Sequence, residues 1–206
     1  MSNLRKVFYT KEGKLSLIKR AKDTVAVDDL SCAIYKGEIF CLLGVNGAGK
    51  STTIGILTGL FSPTSGEATV LGLDVQRDMS LIRQYLGVAP QFNAFWDKLS
   101  AEEHCYLFAA VKGIPLKHSK EEIDAILKDV SLSENRSQQV HTFSGGMKRK
   151  LAVALALIGD PPVIFLDEPT SGMDPLSRRS VWTLLQREKS NKVVILTTHS
   201  MVRSKN

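Results

Sequence analysis

The chain has 206 residues and lacks any apolar run long enough to cross a bilayer. Its longest candidate, Leu151–Ile158, falls well short of the roughly 18 residues a spanning helix requires. The first residues, Met1–Lys6, lack the apolar core of a secretion signal. Cysteine is scarce: Cys32, Cys41 and Cys105 are odd in number and scattered. That spacing excludes a paired-cysteine zinc site and predicts reduced, mostly buried thiols. There is no internal repeat and no low-complexity stretch. Aromatics make up only 7% of the chain and are not regularly interleaved with basic side chains, which argues against a nucleic-acid-binding stripe. What is present is 43% hydrophobic residues, enough for one substantial core, and a net charge of +6. Much of that excess lies in Lys11–Asp23. It reads as a solvated surface loop, with attraction to phosphate or a membrane surface as the alternative.

The most informative segment is Gly44-Val45-Asn46-Gly47-Ala48-Gly49-Lys50-Ser51, which fits the phosphate-cradling pattern G-x-x-x-x-G-K-[ST]. Glu38–Leu43 before it reads as a buried strand, and Thr52–Leu57 after it continues as a helix. Glycines let the backbone bend and approach a polyphosphate, while the helix start offers unpaired N–H groups and a positive dipole end. Lys50 is expected to reach the β- and γ-phosphates, and the Ser51 hydroxyl to bind magnesium. A glycine-rich turn that merely precedes a lysine is the alternative, and the correct flanks on both sides disfavour it.

Strands are expected at Leu4–Thr10, Leu30–Tyr35, Glu67–Leu71, Leu86–Ala89, Val163–Leu166 and Lys192–Thr197, with a helix from Pro175. Between about Ser100 and Gln139 the pattern is helical. Ser100-x-x-Glu103 and Ser119-x-x-Glu122 resemble capping boxes, and Ile123, Ile126, Leu127 and Val130 share one face. The result is an α/β alternation with a helical subdomain inserted between two halves of a sheet.

Val163–Glu168 is an apolar run ending in two adjacent carboxylates. At the C-terminal end of a parallel strand, Asp167 is placed to hold magnesium and Glu168 to act on an attacking water. Phe143-Ser144-Gly145-Gly146-Met147 is a second glycine cluster, in which Ser144 can cap a helix. Gln91 and His199 each follow an expected strand. These three signals are weak singly, since many helices start with Ser-Gly and many histidines are structural.

In this order, the pieces resemble the nucleotide-binding domain of ATP-binding cassette (ABC) transporters over nearly the whole chain. The resemblance makes Gly44–Ser51 the Walker A loop, Gln91 the Q-loop, Phe143–Met147 the signature, Val163–Glu168 the Walker B strand with its catalytic glutamate, Ser171–Asp174 the D-loop and His199 the H-loop. Details such as Ile56–Gly66 and Ser144-Gly145-Gly146-Met147-x-Arg149-Lys150-Leu151 are similar to the A subfamily, whose usual cargo is lipid. The implied fold is a P-loop NTPase core: a mostly parallel central sheet, an N-terminal antiparallel β part, and an inserted α-helical subdomain at about 92–158. All of it falls in one domain spanning 1–206. The implied activity is ATP hydrolysis by two such domains paired head to tail.

The resemblance also implies a residue set. ATP is held by Gly44, Val45, Asn46, Gly47, Ala48, Gly49, Lys50, Ser51, Thr52 and Gln91, and by Ser144, Gly145 and Gly146 of the pairing domain. Magnesium is held by Ser51, Gln91 and Asp167, and catalysis falls to Lys50, Glu168 and His199. Phe8 is the expected adenine-stacking ring, chosen over Tyr9 because alternation leaves only one of them facing the site. A membrane-spanning transporter domain is expected to dock near Phe92, Phe95 and Trp96, holding the chain at the cytoplasmic face of a membrane. No nucleic-acid partner is expected. Phe143 stands where leucine is usual and Met147 where glutamine is commoner. Only Ser200–Asn206 follow His199, where the family normally continues, so truncation at the C-terminus is expected. A soluble ABC ATPase acting on nucleic acid or ribosomes, or a nucleotide-binding remnant without turnover, stand as alternatives.

Overall fold

The computed structural model describes residues 1–9, 23–92 and 95–198, which divide into two compact units. The first unit comprises residues 1–33 and 44–83. It contains β1 (Ser2–Phe8), β2 (Thr24–Leu30), α1 (Lys50–Leu57), β4 (Ser65–Glu67), β5 (Thr69–Val70), β6 (Leu73–Asp74) and α2 (Met79–Ile82). The second comprises residues 34–43 and 84–206, with β3 (Ile39–Leu43), β7 (Leu86–Ala89), α3 (Ala101–Val111), α4 (Leu116–Asp129), α5 (Gly145–Leu157), β8 (Val163–Asp167), α6 (Pro175–Glu188) and β9 (Val193–Thr198).

In the first unit β1 lies between β2 and β4, antiparallel to both. The register of β1 against β2 shifts on either side of Lys6, and this bulge buries both Leu4 and Val7. A residue added by a bulge breaks strict alternation, so the parity used to choose Phe8 over Tyr9 does not carry through the strand. The strand expected at Leu30–Tyr35 is corrected. β2 ends at Leu30, and Thr24–Val27 supplies the β-branched residues that pair with β1, leaving Ser31–Tyr35 irregular. The short β5–β6 hairpin turns at Leu71 and Gly72, whose φ values of 52° and 81° suit a tight two-residue turn.

The second unit is built on a four-stranded parallel sheet in the order β3-β9-β8-β7. Parallel strands covered on both faces read as continuous apolar runs, and every residue of β8 is buried. Helix α5 packs on β7 and β8, and α3 and α4 pack on one another and on α5, enclosing Cys105, Ile123, Leu127, Leu151, Val153, Leu155 and Leu166. The predicted capping box at α3 is present: the Ser100 hydroxyl accepts from the Glu103 amide, and the Glu103 carboxylate accepts from the Ser100 amide. The second predicted box is not. α4 starts three residues earlier, after Pro115 in extended backbone, and Ser119 is fully buried with its hydroxyl donating to the Leu116 carbonyl. Proline presets the dihedral for a helix start, and here it overrides the serine. Of the three thiols only Cys105 is buried; Cys32 is half-buried and Cys41 exposed, so the expectation of mostly buried thiols holds at one position.

Gly87 on β7 lets the strand come close to α5: an added Cβ would collide with the Ala156 carbonyl and sit 2.9 Å from Pro161. Gly87→Ala is therefore expected to cost about 1–3 kcal/mol by overpacking, read as a lower urea midpoint.

Candidate nucleotide site

Gly44–Ser51 follows the last residue of β3 and runs into α1. Gly47 and Gly49 both hold φ at 84°, the left-handed region. At Gly49 a side chain is excluded twice over, by that dihedral and by the Ala26 carbonyl that a Cβ would strike. Lys50 folds back over the loop, its ammonium donating to the carbonyls of Gly44 at 2.8 Å and Val45 at 3.0 Å, and only 9% of it is exposed. Residues Val45–Ala48 and the Ser51 side chain face solvent. Among the described residues no side chain caps α1, and no carboxylate lies in its first turn to neutralise the positive dipole end. The loop and the start of α1 both lie within the first unit.

The second unit gathers a different group. β8 ends at Asp167, and Glu168 follows with φ at 55°, a left-handed conformation that a non-glycine residue adopts only when its surroundings enforce it. Asp167 and Glu168 are 6% and 9% exposed. Their neighbour Thr197, fully buried on β9, donates its hydroxyl to the Asp167 carboxylate and accepts the Glu168 amide at 2.9 Å. Behind them lies Arg149 of α5, itself 5% exposed. Its guanidinium donates to the carbonyls of Glu168 at 2.9 Å, Pro90 at 2.7 Å, Gln91 at 3.0 Å and Asp167. Burial pulls the Arg149 pKa down, and the negative charges of Asp167 and Glu168 oppose that pull. The backbone of Gln91, Asp167 and Glu168 is thus gathered around one guanidinium. Arg149 and Thr197, which join them, are not among the expected site residues: Arg149 stands between Lys148 and Lys150, and Thr197 closes an apolar strand.

Ser144 caps α5, its hydroxyl accepting the Met147 amide at 3.2 Å. Phe143, in place of the usual leucine, is buried in the core. Gly145 and Gly146 differ from the loop glycines. Neither has positive φ, and an added Cβ would meet nothing at Gly145 and only the Ser144 hydroxyl, 3.9 Å away, at Gly146. The packing of the described residues gives no reason for glycine there. Beyond β8, Asp174 caps α6 by accepting the amides of Leu176 and Ser177, each at 3.0 Å, and these bonds, those from Ser177 foremost, hold its carboxyl below the usual range.

The Phe8 ring is 38% exposed and packs edge-on against Phe61 at 5.3 Å, with the Lys6 ammonium 5.1 Å from its centre. Phe92 and Trp96 are 84% and 56% exposed, while Phe95 is half-buried against His104. His104 has no exposed surface: Nε2 accepts the Trp96 amide at 3.0 Å, so Nδ1 carries the proton donated to the Ser100 carbonyl at 2.8 Å. This anchor of the aromatic segment was also not foreseen. His199 and the basic stretch Lys11–Lys22 lie outside the described residues. Among the described residues no helix is long and apolar enough to cross a membrane.

A glycine-rich loop opening a helix, together with a parallel sheet whose central strand ends in paired carboxylates, defines a P-loop nucleotide-binding domain of the α/β class. The family model described as ABC transporter matches residues 27–171, and the chain belongs to that family as an ABC-type ATPase domain. Its likeness runs to the A subfamily. ABC transporter A family member 9 of Arabidopsis thaliana is 51% identical over 85% of this chain and 19% of that protein. Phospholipid-transporting ATPase ABCA3 of Mus musculus is 48% identical over 87% of this chain and 11% of that protein. The chain thus spans a fifth or less of the length of these curated relatives. Among solved structures, the dimeric post-hydrolysis state of the ATP-binding cassette MJ0796, bound to ADP and Pi, is similar with a TM-score of 0.85 at 25% identity. That likeness covers 97% of this chain and 87% of the cassette.

Thr197→Val keeps the volume but removes the hydroxyl on which Asp167 and the Glu168 amide both depend. Chemical unfolding is expected to show a loss of about 1–3 kcal/mol.

Proposed function

We propose that this chain is the nucleotide-binding domain of an A-type ABC transporter, a single domain over 1–206 with its helical part at about 92–158. It binds ATP with magnesium and hydrolyses it between two domains paired head to tail. The observation that carries this reading is the buried carboxylate pair at the end of β8. β3 leads into the phosphate loop, and β8 ends in Asp167; both finish at the carboxyl edge of the sheet, where Leu43 pairs with Thr198 and Asp167 with Thr197. Open α/β sheets bind ligands beyond that edge.

The roles divide as follows. Gly44–Ser51 and Thr52 cradle the phosphates, and Lys50 leaves the loop carbonyls to pair with the β- and γ-phosphates. Glu168 accepts a proton from the attacking water, His199 contacts the γ-phosphate, and Phe8 stacks on adenine. Among the described residues no three His, Cys, Asp or Glu side chains form a dedicated metal cage. The donor set, one carboxylate with a hydroxyl and an amide oxygen, fits magnesium, which binds through one or two carboxylates and completes its shell with phosphate and water. Ser51, Gln91 and Asp167 would hold it, Asp167 with its carboxylate already oriented by the Thr197 hydroxyl. The ion would neutralise charge on the transferred phosphoryl group.

Ser144, Gly145 and Gly146 supply the second half of the site to a partner's nucleotide. The open space above both glycines supports this: an approaching triphosphate excludes a side chain that the chain's own packing would allow. MJ0796, dimeric and bound to ADP and Pi, supports the pairing. The phospholipid-transporting ABCA3 supports a lipid cargo, and the exposed Phe92 and Trp96, with Phe95 half-buried against His104, offer apolar surface to a membrane-spanning domain, which would hold this one at the cytoplasmic face.

Two substitutions test the reading by ATP binding and phosphate release. Glu168→Gln is expected to keep ATP binding and lose at least about a hundredfold in turnover; wild-type hydrolysis would remove Glu168 from its role. Gly146→Ala is expected to leave unfolding within about 0.5 kcal/mol of wild type while turnover falls. Unchanged turnover would mean that no partner's nucleotide meets this helix start.

A further inference from the structure

We propose that Arg149 is a positioning residue for hydrolysis, tying the place of α5 to the backbone that carries Gln91 and Glu168. The inference rests on the reading of Glu168 as the water-activating carboxylate.

The geometry is specific. One guanidinium, 5% exposed, donates to four backbone carbonyls: Pro90 and Gln91, just past β7, and Asp167 and Glu168, at the end of β8. Three segments of the second unit meet at this side chain. Arg149 stands little more than one turn into α5, whose start carries Ser144, Gly145 and Gly146. A helix is stiff over that distance, so a displacement of its start is passed to the guanidinium, and from there to the four carbonyls.

Stability alone does not explain the residue. α5 otherwise presents Leu151, Val153, Ala154 and Leu155 to a packed core. An apolar side chain of similar volume would suit such a position, since burying an ion costs solvation that its partners often only repay. A planar fork of five donors, however, can hold several carbonyls in one fixed arrangement, whereas the compact ammonium of lysine cannot. The carbonyls so held include that of Glu168, a residue kept at a φ of 55°. Backbone in that region persists only where its surroundings impose it. The Thr197 hydroxyl fixes the amide of Glu168 and Arg149 fixes its carbonyl, so the direction of the carboxylate is set from both ends.

The test uses Arg149→Lys, which keeps the charge, and Arg149→Met, which removes it, each alone and combined with Glu168→Gln. Wild-type chain is assayed in parallel. For Arg149→Lys the expected result is a kcat lower by roughly ten- to a hundredfold, the range for a small misplacement of a reacting group, with KM within about twofold. In the Glu168→Gln background the same change is expected to add less than about a twofold further loss, because residues acting as one unit are not additive. Wild-type kcat in Arg149→Lys, or losses that multiply in the double variant, would overturn the proposal. Amide exchange supplies an independent reading that needs no turnover: in Arg149→Lys the peptides around Gln91 and Glu168–Ser171 are expected to exchange faster, and unchanged exchange there would also overturn it. Absence of hydrolysis by the wild type refutes the ATPase reading instead, and exchange then decides the role of Arg149. Should Arg149→Met fail to fold, Arg149→Lys carries every comparison.

Discussion

Two adjacent carboxylates sit almost wholly buried at the end of the central strand, and their surroundings are arranged around that burden. An ionised carboxylate taken out of water is strongly unfavourable unless donors and opposite charge replace its solvation. Here the replacement comes from the next strand and from a helix distant in sequence: the Thr197 hydroxyl bonds Asp167, and the Arg149 cation stands behind the pair. The parallel register of β8 between β7 and β9 makes this possible, because it brings Thr197 beside Asp167. A hydrophobic strand thus delivers a polar end to the sheet edge and keeps it there.

The contrast between the two kinds of glycine follows from the same view. In the loop, Gly49 is required by its own backbone and by the Ala26 carbonyl. At the start of α5, nothing among the described residues would meet a side chain at Gly145, and only the Ser144 hydroxyl lies near one at Gly146. The first is a requirement of the fold; the second is the observation on which the proposed pairing rests. Family membership is consistent with both, and the A-type relatives, each several times longer than this chain, are the setting in which such a domain is found.

Much of this was legible because the chemistry is contiguous. Gly44–Ser51 and Val163–Glu168 each carry their meaning in consecutive residues, and the β7 and β8 runs are apolar enough to read directly. Arg149 was not legible, since its partners lie 18 to 59 positions away and nothing local separates it from the neighbouring Lys148 and Lys150. His104 was hidden in the same way: its two ring nitrogens serve the main chain of a helix start and an aromatic loop. The misplaced β2 and the absent cap at Ser119 show pairing and proline overriding local pattern. The bulge beside Lys6 shows why alternation could not settle which aromatic faces a nucleotide.

The central claim is that the phosphate loop and the carboxylate pair serve one triphosphate and its metal ion. A crystal structure of the chain with magnesium and a non-hydrolysable ATP analogue tests it most directly. The account predicts the Lys50 ammonium on the β- and γ-phosphates, with Asp167 and Ser51 around the same ion and Glu168 facing the γ-phosphate. Nucleotide held by Lys50 with Asp167 and Glu168 turned toward a different region would contradict it.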